Sequence, residues 1–217
     1  MRDSRLYETA KPQEAVTVKG QGKKVAPATG IFYVDDDSVI RACLKSLLRK
    51  IADFQIVGEA ADGDAAVEGI LAARPSVALV DIGLPKMNGI EVARRVKASL
   101  PDVRVLMLTS SEAENDIFDS LDAGADGYVL KGDFSSNLEV AIRSVRVGAV
   151  WLDPGIARFV LKASHRPVHG QAAQPEALSK EEETLLGKVA DSNCQDGVCL
   201  VDPSFVKKLR RFRTAEF

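Results

Sequence analysis

Between residues 31 and 145 the chain alternates two patterns of apolar positions. Short apolar runs occur at Ile31–Val34 (IFYV), Gln55–Gly58 (QIVG), Val77–Val80 (VALV), Val103–Leu108 (VRVLML) and Gly127–Leu130 (GYVL). Between them, apolar residues recur at helical spacing. The sets are Val39, Leu44, Leu47, Leu48 and Ile51; Ala66, Val67, Ile70 and Leu71; Val92 and Val96; Ile117, Phe118 and Leu121; and Leu138, Ile142 and Val145. Continuous runs bounded by turn residues fit strands buried on both faces, whereas the spaced sets fit helices with one apolar face. Five strands alternating with five helices over residues 30–148 predict an α/β domain. Its sheet is parallel and five-stranded, covered by helices on both faces, with right-handed crossovers.

The punctuation agrees. Asp37 or Ser38 caps the first helix, Asp62-Gly63 opens the second, Arg74-Pro75 stops it, and Ala123-Gly124-Ala125 closes the fourth as a glycine C-cap. Cys43 lies near the apolar face of the first helix and reads as a small buried hydrophobe. Residues 1–29 lack apolar periodicity and read as a disordered leader. Residues 149–177 read as a linker helix, begun by Asp153-Pro154, followed by a polar linker. Residues 178–217 read as a small α-helical region.

Composition narrows the picture modestly. The 217 residues carry 29 Lys plus Arg against 31 Asp plus Glu, so bulk charge does not make the chain a polyanion binder. Three cysteines do not form a disulfide framework. No apolar run reaches the roughly 20 residues that span a bilayer. A cytoplasmic protein without a membrane segment is expected.

The chemistry gathers at the strand ends. The first strand runs into Asp35 and Asp36, the third into Asp81, the fourth into Thr109 and the fifth into Lys131. In a parallel sheet these ends lie side by side, on the edge where open α/β sheets bind ligands. Taken alone, Asp81 is equally well a turn or cap residue, the ordinary job of a loop aspartate. Together, three carboxylates repel one another and invite a hard cation such as Mg²⁺. A lysine and a hydroxyl beside them complete a clamp for a phosphoryl group, with one carboxylate as nucleophile.

The segments VDDD (34–37), LVDIGLPKMNG (79–89), LMLTSS (106–111) and GYVLKGD (127–133) resemble the receiver domain of bacterial two-component response regulators. The resemblance implies a flavodoxin-like (βα)5 fold. It implies that Asp81 accepts a phosphoryl group from a phosphohistidine on a sensor histidine kinase. Asp36, Asp81 and the Gly83 backbone carbonyl would ligate Mg²⁺, with Asp35 acting through water. Lys131 would pair with the phosphoryl oxygens, and Thr109 and Tyr128 would be the switch pair, the ring moving inward as the hydroxyl turns toward the phosphate. A homodimer through the fourth helix, fifth strand and fifth helix would form on phosphorylation. No enzymatic activity is implied beyond self-phosphorylation from small donors and autodephosphorylation. Phosphatases that use an aspartyl nucleophile place a second acid two residues later, where this chain has Gly83.

The WLDP segment at 151–154 resembles the exit from receivers of the NarL/FixJ subfamily, whose members end in a LuxR-type helix-turn-helix. Leu178-Ser179, followed by Glu181, Glu182, Glu183, Leu185 and Leu186, resembles the first helix of that output domain. Beyond it the helix-turn-helix pair is missing from the pattern, so residues 178–217 read as an incomplete output region. The last helix carries Lys207, Lys208, Arg210 and Arg211, which are candidates for phosphate contacts with DNA. Its alternative is a packed helix with a solvated basic face. His165, His169, Cys194 and Cys199 are potential zinc ligands whose pairs lie far apart. Two functions follow: a phosphorylation-switched transcriptional regulator, or a receiver that acts only through protein–protein contacts.

Overall fold

The computed structural model describes residues 28–110, 114–164 and 178–190. Six parallel strands form one sheet in the order β2-β1-β3-β4-β5-β6. They are β1 Thr29–Val34, β2 Phe54–Ala60, β3 Val77–Asp81, β4 Arg104–Thr109, β5 Gly127–Leu130 and β6 Trp151–Leu152. The helices are α1 Ser38–Leu48, α2 Gly63–Ala73, α3 Gly89–Ser99, α4 Glu114–Asp122, α5 Phe134–Arg146, α6 Pro154–Ser164 and α7 Lys180–Ala190. Every residue of β3 is buried, as its unbroken apolar run predicts for a strand covered on both faces.

Alternation along the strands divides the core in two. Ile31, Tyr33, Leu79, Leu106, Leu108 and Val129 face α1 and α5, where Leu44, Leu48, Leu138, Ile142 and Val145 meet them. Phe32, Val34, Val80, Val105 and Met107 face the other way, toward Ala66 and Ile70 of α2, Val92 and Val96 of α3, and Ile117, Phe118 and Leu121 of α4. Each fully buried aliphatic side chain contributes about 1.5–3 kcal/mol relative to exposure. Ile156 and Ala157 of α6 and Leu186 of α7 join this second cluster. The linker helix is therefore part of the second layer. Ser179 and Glu182 form a capping box at the start of α7: the Glu182 amide donates to Ser179 Oγ at 3.2 Å, and the Ser179 amide to Glu182 Oε2 at 2.6 Å.

Three expectations change. The sheet has a sixth strand, because Trp151 and Leu152 pair with Gly127 and Tyr128 along the outer edge of β5. Two residues are too few to show a strand periodicity, so the segment reads only as an exit from the domain. β1 starts at Thr29, one residue inside the expected leader, since the Thr29 amide donates to the Asp53 carbonyl at 2.8 Å and the residue is buried. Cys43 is exposed, and Val39 is 66% exposed. The inward stripe of α1 is Leu44 and Leu48, flanked by Ile40 and Leu47. Val39 and Cys43, four residues apart, lie together on the outer face instead.

Among the described residues no helix is long and apolar enough to cross a membrane. His165, His169, Cys194, Cys199, Lys207, Lys208, Arg210 and Arg211 lie outside the described residues, as does nearly all of the leader.

Candidate functional site

Asp35 follows β1, Asp81 closes β3, Thr109 closes β4 and Lys131 follows β5 in a single tight turn, Lys131–Asp133. Register brings these ends together, with β3 between β1 and β4, and Thr109 opposite Leu130. Lys131 Nζ lies 2.7 Å from Asp35 Oδ2 and 2.9 Å from Asp81 Oδ1. Asp35 is fully buried, Asp81 is 4% exposed, and Asp36 is exposed. One carboxylate oxygen from each of these three residues lies within 4.8 Å of the other two. Asp35 and Asp81 thus share one ammonium, with a third carboxylate beside them, so the cluster carries excess negative charge.

That imbalance shows in the ionisation. Burial raises the Asp81 pKa above its ordinary value, and the charge of Asp35 adds to the rise. The hydrogen bond and charge of Lys131 oppose it without cancelling it. For Lys131 burial works against the charged form, but hydrogen bonds to Asp35 and Asp81 prevail and its pKa goes up. The lysine is therefore firmly cationic, while Asp81 is a carboxylate held under electrostatic pressure.

The loops around the cluster are pinned. Asp37 is not free to join the acidic group. Its Oδ1 accepts from the Val39 amide at 2.7 Å as the N-cap of α1, and its own amide donates to Asp35 Oδ1 at 3.0 Å. The Arg41 guanidinium donates to the backbone carbonyls of Asp35 and Asp36 at 2.8 and 2.9 Å, fixing the path of the chain between the two acids. After Asp81, the Gly89 amide donates to the Ile82 carbonyl at 3.0 Å. A Cβ on Gly89 would stand 1.9 Å from the Asp81 carbonyl oxygen, so only glycine lets α3 start so close to the strand end. Lys86, in the left-handed region at φ 67°, reaches Asp62 at 3.1 Å and ties this loop to the cap of α2. Gly83 is exposed beside Asp81, and its backbone hydrogen bond helps the ionised form of Asp81.

The structure brings together Asp35, Asp36, Asp81 and Lys131, with Thr109 at the neighbouring end of β4 and Gly83, which the resemblance adds, beside Asp81. Arg41 is an addition that the sequence does not signal, because an arginine on the first turn of a helix ordinarily faces solvent. Thr109 is buried. The Tyr128 ring is fully buried, so it has no exposed position from which to move inward. Its hydroxyl has no hydrogen-bond partner of ordinary geometry, although the Thr109 side chain lies near enough to oppose the rise in phenol pKa that burial causes.

Residues 31–143 match the response regulator receiver domain family. The chain is 37% identical to the DNA-binding transcriptional activator DevR/DosR of Mycobacterium tuberculosis over 161 residues, covering 74% of each protein. It is 30% identical to the response regulator protein VraR of Staphylococcus aureus over 160 residues, covering 74% of this chain and 75% of that protein. Among solved structures, a LuxR-family two-component response regulator from Aurantimonas sp. superposes with a TM-score of 0.58 at 28% identity, over 60% of this chain and 94% of that one.

Proposed function

The chain belongs to the response regulators of the NarL/FixJ type, and on that premise we propose that it accepts a phosphoryl group on Asp81 and passes the change to transcription. The observation that carries this reading is the Lys131 ammonium bridging Asp35 and Asp81 at 2.7 and 2.9 Å in a cluster rich in negative charge. The donor is a phosphohistidine of a sensor histidine kinase. An Asp81 oxygen forms the new O–P bond, the P–N bond of the donor breaks, and the imidazole leaves to take up a proton. Burial that raises the Asp81 pKa also strips its carboxylate of water, which favours attack by the ionised form. Lys131 is placed to hold the phosphoryl oxygens once Asp81 gives up its ion pair. Thr109 is the hydroxyl that turns toward them, and Tyr128 responds behind it.

The donor set suits a hard divalent cation, since carboxylate oxygens of Asp35, Asp36 and Asp81 converge within 4.8 Å and Asp37 is committed to its helix cap. Asp36, Asp81 and the Gly83 carbonyl would hold Mg²⁺ directly, and Asp35 through water. When bound, the ion supplies charge neutralisation for the arriving phosphoryl group.

On this reading the protein works in the cytoplasm, dimerises when phosphorylated and turns over no substrate apart from its own acyl phosphate. Residues 30–148 are the receiver, 149–177 the linker and 178–217 the output region. Lys207, Lys208, Arg210 and Arg211 contribute phosphate contacts to DNA. The test is retention of promoter-length genomic duplexes, before and after treatment with a small phosphodonor and Mg²⁺, over a salt series. Phosphorylation-enhanced retention is expected. Absence of retention at every salt concentration would leave a receiver that signals through protein contacts.

A further inference from the structure

Asp36 differs from the two acids beside it. The Asp35 carboxylate accepts from the Asp37 amide at 3.0 Å and pairs with Lys131, and the Asp81 carboxylate pairs with Lys131 as well. Asp36 is exposed, and among the described residues nothing bonds to its carboxylate. Its place within 4.8 Å of the other two is therefore set by its backbone. That backbone is a bend between the end of β1 and the cap of α1, outside both the strand and the helix. Arg41 ties the bend down. Its Nη1 donates to the carbonyls of both Asp35 and Asp36, at 2.8 and 2.9 Å. Arg41 is itself anchored in the first turn of α1, where its amide donates to the Asp37 carbonyl at 3.0 Å, and it is half-buried. The choice of acceptors matters. A guanidinium close to carboxylates ordinarily pairs with one of them. Arg41 takes backbone carbonyls instead, so it shapes the bend and leaves the carboxylate oxygens open. Lys131 does the opposite and engages Asp35 and Asp81 directly.

We propose that Arg41 is a positioning residue for the divalent-cation site: it holds the Asp35–Asp36 bend so that the Asp36 carboxylate stays beside those of Asp35 and Asp81, and it thereby sets the affinity for Mg²⁺. The proposal rests on the reading of these acids as a Mg²⁺ site. Arg41 acts through the backbone of the ligand residues and touches neither the cation nor a phosphoryl group. Its charge works in the other direction, since a guanidinium repels a divalent cation. Arg41 keeps a solvent-exposed part, so that repulsion is screened. A carboxylate that drifts away from the cation loses a direct ligand, and no screening offsets that loss. Positioning therefore outweighs repulsion.

Mg²⁺ binding to the full chain is measured by isothermal titration calorimetry, without a phosphodonor. Arg41→Met keeps the aliphatic stem and removes both hydrogen bonds and the charge. Its dissociation constant for Mg²⁺ is expected to rise about tenfold, the cost of losing a group that orients metal ligands. With a small phosphodonor, the variant should need correspondingly more Mg²⁺ to reach half its maximal rate, and its rate at saturating Mg²⁺ should be nearly unchanged. A merely structural role would lower the thermal transition and leave that split unmoved. Unchanged Mg²⁺ binding by Arg41→Met overturns the proposal, and so does tighter binding, which would show Arg41 acting only as a repelling charge. In an Asp36→Asn background Arg41→Met should weaken binding little further, because its effect passes through Asp36. Fully additive losses would place its action elsewhere and overturn the proposal. Arg41→Gln, too short to span both carbonyls, takes the place of Arg41→Met if that variant does not fold. Loss of the thermal transition in both would make Arg41 a structural residue and overturn the proposal. The underlying reading fails separately: an unaltered chain whose Mg²⁺ binding Asp36→Asn does not weaken holds the ion elsewhere, and the proposal falls with it.

Discussion

Asp81 and Asp126 sit at opposite ends of the same sheet and are satisfied in opposite ways. Asp126 accepts hydrogen bonds from Lys97 Nζ and Arg104 Nη1, both at 2.9 Å, and from the Val105 amide at 2.8 Å. Lys97 also donates to the carbonyls of Pro101 and Val103, so this corner knits α3, β4 and the turn before β5 into one network. Two cations and an amide converge on one carboxylate there. At the other end one ammonium serves Asp35 and Asp81, with Asp36 beside them. A carboxylate with more donors than it needs holds a structure together. One with too few is left able to react or to take up a cation.

The comparison breaks most directly at Asp81 itself. Asp81→Asn is expected to abolish the base-labile, acid-stable mass gain from a small phosphodonor without lowering stability. An undiminished rate would assign the chemistry elsewhere. Asp126→Ala should do the reverse. Leaving Lys97 and Arg104 without their shared partner should cost about 2 kcal/mol in urea unfolding, less than a fully buried pair because both cations are part-exposed. Its phosphorylation should continue. Equal stability of Asp126→Ala and the unaltered protein would erase the distinction.

Mg²⁺ sharpens the contrast further. At ten times its dissociation constant, an ion that binds only the folded protein adds about 1.4 kcal/mol, read as a higher unfolding midpoint. Asp36→Asn should diminish that gain, and Asp126→Ala should leave it in place. The smallest effect is in the pH dependence. Asp81 has a folded pKa raised above 3.8, so the folded state binds its proton more tightly than the unfolded chain does. Its contribution to stability is therefore present at low pH and is lost as pH rises through the folded pKa. Glu59, lowered by its hydrogen bond from Tyr33, has the opposite sign, with stability lost as pH falls. Without Mg²⁺, Asp81→Asn should remove the downward slope that sets in as pH rises above the ordinary carboxylate range. An unchanged slope would mean that the pressure on Asp81 is relieved by something other than protonation.

Much of the core and most of the site were legible along the chain. The runs at Ile31–Val34 and Val77–Val80 announce strands, and the acids that follow them announce an edge. The limits of that legibility are equally physical. Val39 and Cys43 fit a helical spacing, yet an apolar set broad enough to cover more than one stripe leaves the inward direction undetermined, and packing chose Leu44 and Leu48. Arg41 binds carbonyls of the residues it follows, a contact that depends on the bend of the chain after β1. β6 is shorter than any period a sequence can display.

By itself the sequence determined which chemical groups terminate each strand and that these strands run parallel, because periodicity, caps and turn residues are local properties of the chain. Only the tertiary structure decided how those groups share their charges. Lys131 bridges Asp35 and Asp81, and Tyr128 packs in one cluster with Leu152, Ile156 and Ala157. Each of these outcomes depends on register between segments distant in the chain. Hydrogen-bond geometry and close packing set that register, whereas apolar spacing says only that the segments will meet.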